Sequence, residues 1–271
     1  MQYLLSRASR AVLRQLAHER TLCAFDFDGT LSPIVEHPGQ AGMGGQTRIL
    51  LGRLAALYPC IVVSGRTRVD LLGLLRGVNV ARMIGNHGAE TEAATPRPRL
   101  VEQWKAAIEP DLGAIPGLWV EDKGLSLAVH YRQCRHKTEV RRRILTATRN
   151  LAHVHVVGGK QVVNLVVDRA PGKGEALAAE RKRLGCNWVL FVGDDENDED
   201  AFALDGNIVP VRIGRKRSSH ARYYLRTQAE IDKLLELLVL LRSPAKPVTS
   251  LTGRQKQRKA IPPTSMRRSR P

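Results

Sequence analysis

The chain has 271 residues, of which 43% are hydrophobic and only 4% aromatic, enough for one large domain or two smaller ones around an aliphatic core. No apolar run approaches the ~20 residues that cross a bilayer, and Arg7, Arg10 and Arg14 interrupt the stretch where a secretory leader would need an apolar segment. The net charge of +17 would suit a nucleic-acid binder, but nine basic residues and no acidic one lie from Arg242 onward, which leaves +8 for the rest.

That Pro/Ser/Lys/Arg-rich tail, residues 243–271, lacks apolar periodicity and is expected to be disordered, with at most a nonspecific contact to polyanions. The four cysteines, Cys23, Cys60, Cys134 and Cys186, form no CxxC pair and suggest reduced, buried thiols in a cytoplasmic protein.

In chain order, helical spacing of Leu5, Ala8, Val12, Leu13 and Leu16 predicts an amphipathic helix over Leu4 to Ala17. Thr21 to Phe27 is a short apolar run closing on carboxylates, a buried strand with a functional carboxyl end. A helix over Gln46 to Leu57 stops before Pro59, and Cys60 to Val63 is a second buried strand. Val69 to Arg76 is helical, and Val80 to Ile84 a third strand. Strands alternating with helices imply right-handed crossovers and a parallel sheet.

After Glu90 the pattern changes. Pro96 and Pro98 mark a loop before a helix over Leu100 to Ile108. Strands follow over Leu118 to Asp122 and Leu125 to Tyr131, then an arginine-rich helix over Val140 to Leu151. His153 to Val157 and Gln161 to Val167 predict a hairpin turning on Gly158-Gly159. The alternating pattern resumes with a helix from Lys173 to Leu184, a strand over Trp188 to Val192, a helix from Glu199, a strand over Ile208 to Val211 and a last helix over Gln228 to Leu241. The expected organisation is an α/β core with helices on both faces, residues 1–90 and 169–242, interrupted by an α+β cap, residues 91–168.

Four strand ends carry chemistry. Asp26 and Asp28 sit two positions apart in Phe25-Asp26-Phe27-Asp28-Gly29-Thr30-Leu31, where one carboxylate can attack phosphorus and the other handle the leaving group. Ser64-Gly65-Arg66 offers a hydroxyl and backbone N–H groups ahead of a helix, a phosphate cradle. Lys173 opens a helix with a fixed positive charge for phosphoryl oxygens. The run Gly193 to Asp200 crowds carboxylates that would repel without a hard cation such as Mg²⁺. Each alone is equally a turn, a surface lysine or an acidic helix start; their order and placement set them apart.

This order of motifs resembles the haloacid-dehalogenase superfamily of phosphatases. Gly85-Asn86-His87-Gly88-Ala89-Glu90, the run Glu121 to Arg132, and Gly193 to Phe202 are similar to the trehalose-6-phosphate phosphatase family, over roughly Leu22 to Leu241. The resemblance implies a Rossmann-like core with an inserted mobile cap. It implies Asp26 as nucleophile and Asp28 as general acid and base, with Ser64, Gly65, Arg66 and Lys173 around the phosphoryl group. Asp26, the backbone carbonyl of Asp28 and Asp194 would hold Mg²⁺, with Asp195 and Asp198 in or near its shell, and Glu121, Lys123, Arg132 and Lys160 would contact the sugar. The implied protein is a monomeric trehalose-phosphatase acting on a small phosphorylated disaccharide, with no membrane or specific nucleic-acid partner.

Two positions depart from the family pattern. Asn164 stands where a glutamate is usual four residues after the cap lysine, and Asn197 where threonine is more frequent. Asn164 opens a second expectation, a phosphatase for another glycosyl phosphate. A phosphotransferase or mutase sharing the nucleophile, and a noncatalytic polyanion binder, are the alternatives from other classes. His87 and His130 lie in family-like motifs, yet a histidine beside glycine is more often a hydrogen-bonded structural residue, and Arg215-Lys216-Arg217 is expected to be a solvated loop.

Overall fold

A computed structural model of the chain describes residues 1–91 and 98–243. The basic tail beyond these, and the loop expected around Pro96, lie outside the described residues.

In the first part of the chain, β1 (Gln2–Tyr3), α1 (Arg10–His18), β2 (Thr21–Phe25), α2 (Gly45–Ala55), β3 (Cys60–Val63), α3 (Arg68–Leu74) and β4 (Arg82–Ile84) follow one another. After an intervening segment come α6 (Lys173–Arg183), β9 (Trp188–Gly193), α7 (Glu199–Phe202), β10 (Ile208–Ile213), β11 (Tyr223–Leu225) and α8 (Ile231–Arg242). These strands form one seven-stranded parallel sheet, ordered β1-β11-β10-β9-β2-β3-β4.

Strand alternation divides the side chains between two apolar layers. Cys23, Phe25, Cys60, Val62, Leu190 and Val192 pack with Leu13, Leu50, Leu71 and Leu234 from α1, α2, α3 and α8. Leu22, Ala24, Ile61, Val63, Val189 and Phe191 pack on the other face with Leu177, Ala201 and Phe202 from α6 and α7. A sheet covered on both sides needs continuous apolar strands, and β2, β3 and β9 are buried along nearly their whole length. The chain leaves β2 toward β3 on one side and later returns to β9 on the other. The β2/β9 boundary is therefore a topological switch point, where the carboxyl ends of the strands open a crevice.

The intervening segment builds α4 (Pro98–Leu112), β5 (Trp119–Asp122), β6 (Ser126–His130), α5 (Lys137–Ala147), β7 (Val154–Gly159) and β8 (Val162–Val167). Its four strands form an antiparallel sheet ordered β5-β6-β8-β7. One face of that sheet, with Leu127, Val129, Val163 and Leu165, packs on Trp104, Ile108 and Ile144 of α4 and α5. The opposite face, with Ser126, Ala128, His130 and Asn164, turns to the core.

Three expectations change. Pro98 opens a helix rather than belonging to the loop, since the first helical position needs no N–H partner. The β7–β8 hairpin turns at Lys160-Gln161, with Gln161 at φ 64°, and Gly158 and Gly159 stay in the strand opposite Val163 and Val162. A Cβ on Gly159 would fall 2.8 Å from Val162 Cγ1 on the paired strand, so the glycine permits close packing within the hairpin rather than a turn. The helix expected from Glu199 is a single turn of four residues after a short 3₁₀ segment. Among the described residues no helix is long and apolar enough to cross a membrane, and all four cysteines are buried free thiols.

Candidate active site

Asp26 follows the last residue of β2 at the switch point, and its N–H donates to Val192 O of β9 at 2.9 Å. Its carboxylate, 5% exposed, accepts from Lys173 Nζ at 2.8 Å. Lys173 stands at the first turn of α6 and also donates to Asp198 Oδ1 at 2.6 Å. The other oxygen of Asp198 accepts the N–H groups of Asp194 and Asp195 at 2.8 and 2.9 Å. Asp198 therefore fixes the lysine and the acidic loop together.

Carboxylate oxygens of Asp26, Asp194 and Asp198 all lie within 4.8 Å of one another, and all three residues are buried. Burial pushes the Asp26 carboxyl well above the usual range, Lys173 pulls it back, and Asp198 and Asp194 add to the rise. Burial likewise pushes Asp194 up to about 6, against the ammonium of Lys160. For Lys173 burial works against the charge, but Asp198 and Asp26 outweigh it and the ammonium stays protonated. Asp194 Oδ1 is buried without a hydrogen-bond partner. Hard oxygen donors, an excess of buried negative charge and an orphaned acceptor fit a divalent cation. Gly29, at φ 82°, leaves room for this arrangement: a Cβ there would fall 2.0 Å from Asp194 Oδ2.

Asp28 is clamped by Arg66, whose Nε and Nη2 donate to its two oxygens at 2.6 and 2.8 Å. The guanidinium carbon lies 5.7 Å from the Phe27 ring centroid. Ser64, 1% exposed, ends β3, and its Oγ accepts the N–H of Arg66 at 3.3 Å.

The antiparallel unit closes over this crevice. Lys123 Nζ donates to Gly65 O at 2.8 Å and lies 3.6 Å from Glu121. Ser126 Oγ donates to Asn86 Oδ1 at 2.5 Å, and Arg132 to Val35 O at 2.5 Å and Lys160 O at 3.2 Å. The Lys160 ammonium pairs with Asp194, while its N–H donates to Asp195 Oδ2 at 2.8 Å. Glu121 bonds to His130 Nε2 at 2.8 Å, and that bond and Lys123 outweigh burial to hold its carboxyl below the usual value. The enclosed cleft, about 1060 Å³ with its solvent mouth included, has the carboxylates at its floor and the antiparallel sheet as its roof.

The chain matches the sequence model described as trehalose-phosphatase over residues 24–226. It belongs to the trehalose-phosphatase family. It is 36% identical over 204 residues to a trehalose-phosphate phosphatase of Mycolicibacterium paratuberculosis, covering 69% of this chain and 52% of that one. It is 28% identical over 263 residues to a probable trehalose-phosphate phosphatase of Oryza sativa, covering 82% and 70% of the two chains. The chain therefore spans about half the length of the mycobacterial relative. The C-terminal domain of trehalose-6-phosphate phosphatase from C. albicans superposes with a TM-score of 0.74 at 22% identity, over 85% of this chain and 96% of that one, a likeness of fold. The family lies in the haloacid-dehalogenase superfamily, whose Rossmann-like core and inserted α+β cap are the architecture described above.

In this family member the cleft brings together Asp26, Asp28, Ser64, Gly65, Arg66, Glu121, Lys123, Arg132, Lys160, Asn164, Asp194 and Asp195. At three positions the structure adds detail, with Asp198 lying behind the cleft lining. Asp195 stands outside the three-carboxylate group and bonds to Lys160 N and Glu196 N. Asp198 has both oxygens committed to protein donors. Arg132 bridges the cap to Val35 of the core. Trp119 was not singled out in the sequence, although it stands two positions before Glu121 on the same face of β5. Its indole stacks on His130 at 3.9 Å between centroids and 5° between planes, and strand alternation was the signal that could have found it.

Proposed function

We propose that the chain hydrolyses trehalose 6-phosphate to trehalose and inorganic phosphate through an aspartyl-phosphate on Asp26, with Mg²⁺ as its ion. The observation that carries this reading is the buried Asp26–Lys173–Asp198 array at the switch point, beneath a polar cap and beside the clamped Asp28. The family relationship supports the substrate class.

In this reading an Asp26 oxygen attacks phosphorus and the bond from phosphorus to the sugar oxygen breaks. Asp28 gives its proton to the departing oxygen, which leaves as a trehalose hydroxyl. Asp28, now a carboxylate, takes a proton from water as that water attacks phosphorus. The bond to Asp26 then breaks and phosphate is released. Lys173 holds Asp26 in place, and with Ser64 it offsets charge on the phosphoryl oxygens. Arg66 fixes the orientation of Asp28. Asp26 and Asp194, with the Asp28 carbonyl and with Asp195 and Asp198 near them, would hold Mg²⁺, which neutralises phosphoryl charge when bound.

The cap, residues 91–168, positions the sugar through Glu121, Lys123, Arg132, Lys160 and Asn164. Four buried thiols support a cytoplasmic setting. Asn164, 2% exposed on the face toward the cleft, favours a second reading in which another disaccharide phosphate is preferred, since an amide offers hydrogen bonds without charge. A panel of sugar phosphates read by phosphate release, with and without Mg²⁺, decides between them. No preference for trehalose 6-phosphate over glucose 6-phosphate overturns the first reading.

A further inference from the structure

Asn86 and His87 sit side by side in the left-handed region, at φ 47° and 60°, although neither is glycine. Such residues cost about 1–3 kcal/mol each and persist only where their surroundings over-determine them. The surroundings do so here. The N–H groups of Asn86 and His87 donate to Arg66 O and Ser64 O at 2.8 and 2.9 Å. The Asn86 side chain donates to Glu90 at 2.7 Å and accepts from Ser126 of the cap at 2.5 Å.

This scaffolding aims the His87 ring into the cleft. The residue is 7% exposed, and neither buried ring nitrogen makes a well-aligned hydrogen bond; the Asn164 amide is the polar side chain near enough to interact with the ring. The ring rests against Gly65, where a Cβ would fall 2.4 Å from Cε1, so the glycine of the phosphate loop is itself required by the histidine. Lys173 of the core and Lys123 of the cap act on it by their charge, and Asn164 of the cap by hydrogen bonding. Burial, then the two ammonium groups, push the imidazole down to about 3. It therefore presents one donor and one acceptor at neutral pH. A hydroxyl is the complementary partner, because it too both donates and accepts. A phosphoryl group only accepts, and Lys173 and the Ser64 loop already serve it.

We propose that His87 is a specificity residue whose imidazole holds a sugar hydroxyl next to the phosphoester, with Asn164 across from it on the cap. This rests on the sugar-phosphate reading above. A hydroxyl gripped between a core strand end and a cap strand registers the sugar only when the cap is closed.

The test compares wild type with His87→Asn, because asparagine tolerates the left-handed backbone but is too short to reach the hydroxyl. Expected is a fall in kcat/KM of about 10- to 100-fold on trehalose 6-phosphate, since a buried polar partner is left unpaired. On p-nitrophenyl phosphate, which has no sugar hydroxyl, the fall should be at least about fivefold smaller, because only the packing of the ring on Gly65 is lost. Equal falls on both, or none on either, overturn the proposal. A second readout uses unmodified enzyme: the ¹⁵N signals of the His87 ring should shift as trehalose is added, and unmoved signals also overturn it. If wild type proves inactive on trehalose 6-phosphate, the functional reading fails separately. The sugar phosphate that the panel selects then replaces it in the same comparison, which still judges His87.

Discussion

Lys173→Met keeps an unbranched stem of four atoms and removes the ammonium from a site only 1% exposed. Its two charge-assisted bonds, at 2.8 Å to Asp26 and 2.6 Å to Asp198, contribute about 1.5–3 kcal/mol each. That sum brackets the ~3–5 kcal/mol lost when one partner of a buried ion pair is removed. A loss of about 4 kcal/mol is therefore expected in urea titrations with EDTA present, with a fall in Tm of roughly 8–16 °C. Mg²⁺ should narrow the gap, because a cation beside Asp26 and Asp194 replaces part of the missing charge. Adding Asp198→Asn should recover part of the loss, since the uncompensated carboxylate goes with it. A loss under about 1 kcal/mol in EDTA, or a gap that Mg²⁺ widens, would refute the electrostatic role given to this array.

Asp26→Asn should lower turnover by at least ~10³-fold, measured by phosphate release, while the far-UV spectrum stays native; retained turnover removes Asp26 as nucleophile. Lys123→Ala should raise KM for a disaccharide phosphate several-fold more than for an aryl phosphate, whereas equal effects would remove it from the sugar site. His87 gives a pH signature. Its folded-state value near 3 lies below the usual 6.5, so between these limits the unfolded chain binds the extra proton and stability falls as pH falls. The slope is up to ~1.4 kcal/mol per pH unit, and His87→Asn should flatten it in urea titrations from pH 6.5 to 4. An unchanged slope would mean that the ring is protonated in the folded state.

The buried strands were legible in the sequence because both faces of the sheet demand apolar residues. Cys60 to Val63 has the bounds expected, and β2 and β9 differ by a residue or two. The edge strand β1 and its neighbour β11 were missed, since two or three residues carry no periodicity. The hairpin turn was misplaced because glycine signals both turns and close approach, and only the nearby Val162 side chain shows which applies at Gly159. At the site, the carboxylates and Lys173 were visible as motifs because strand ends concentrate chemistry. The geometry that groups Asp194 and Asp198 with Asp26 and leaves Asp195 outside was not, because it depends on which oxygen each neighbouring N–H chooses. For His87 the sequence suggested a hydrogen-bonded structural residue, and in the folded chain its ring has only the Asn164 amide beside it and no well-aligned bond.

The cap sheet divides its labour residue by residue. Leu127, Val129, Val163 and Leu165 hold it to its helices, while Ser126, Ala128, His130 and Asn164 share the other face, from which His130 and Asn164 line the cleft. Alternate letters of the same two strands thus meet separate physical demands. Substitutions in the second set can change what the cap presents to the cleft while the first continues to fold it. Asn164 sits in that second set.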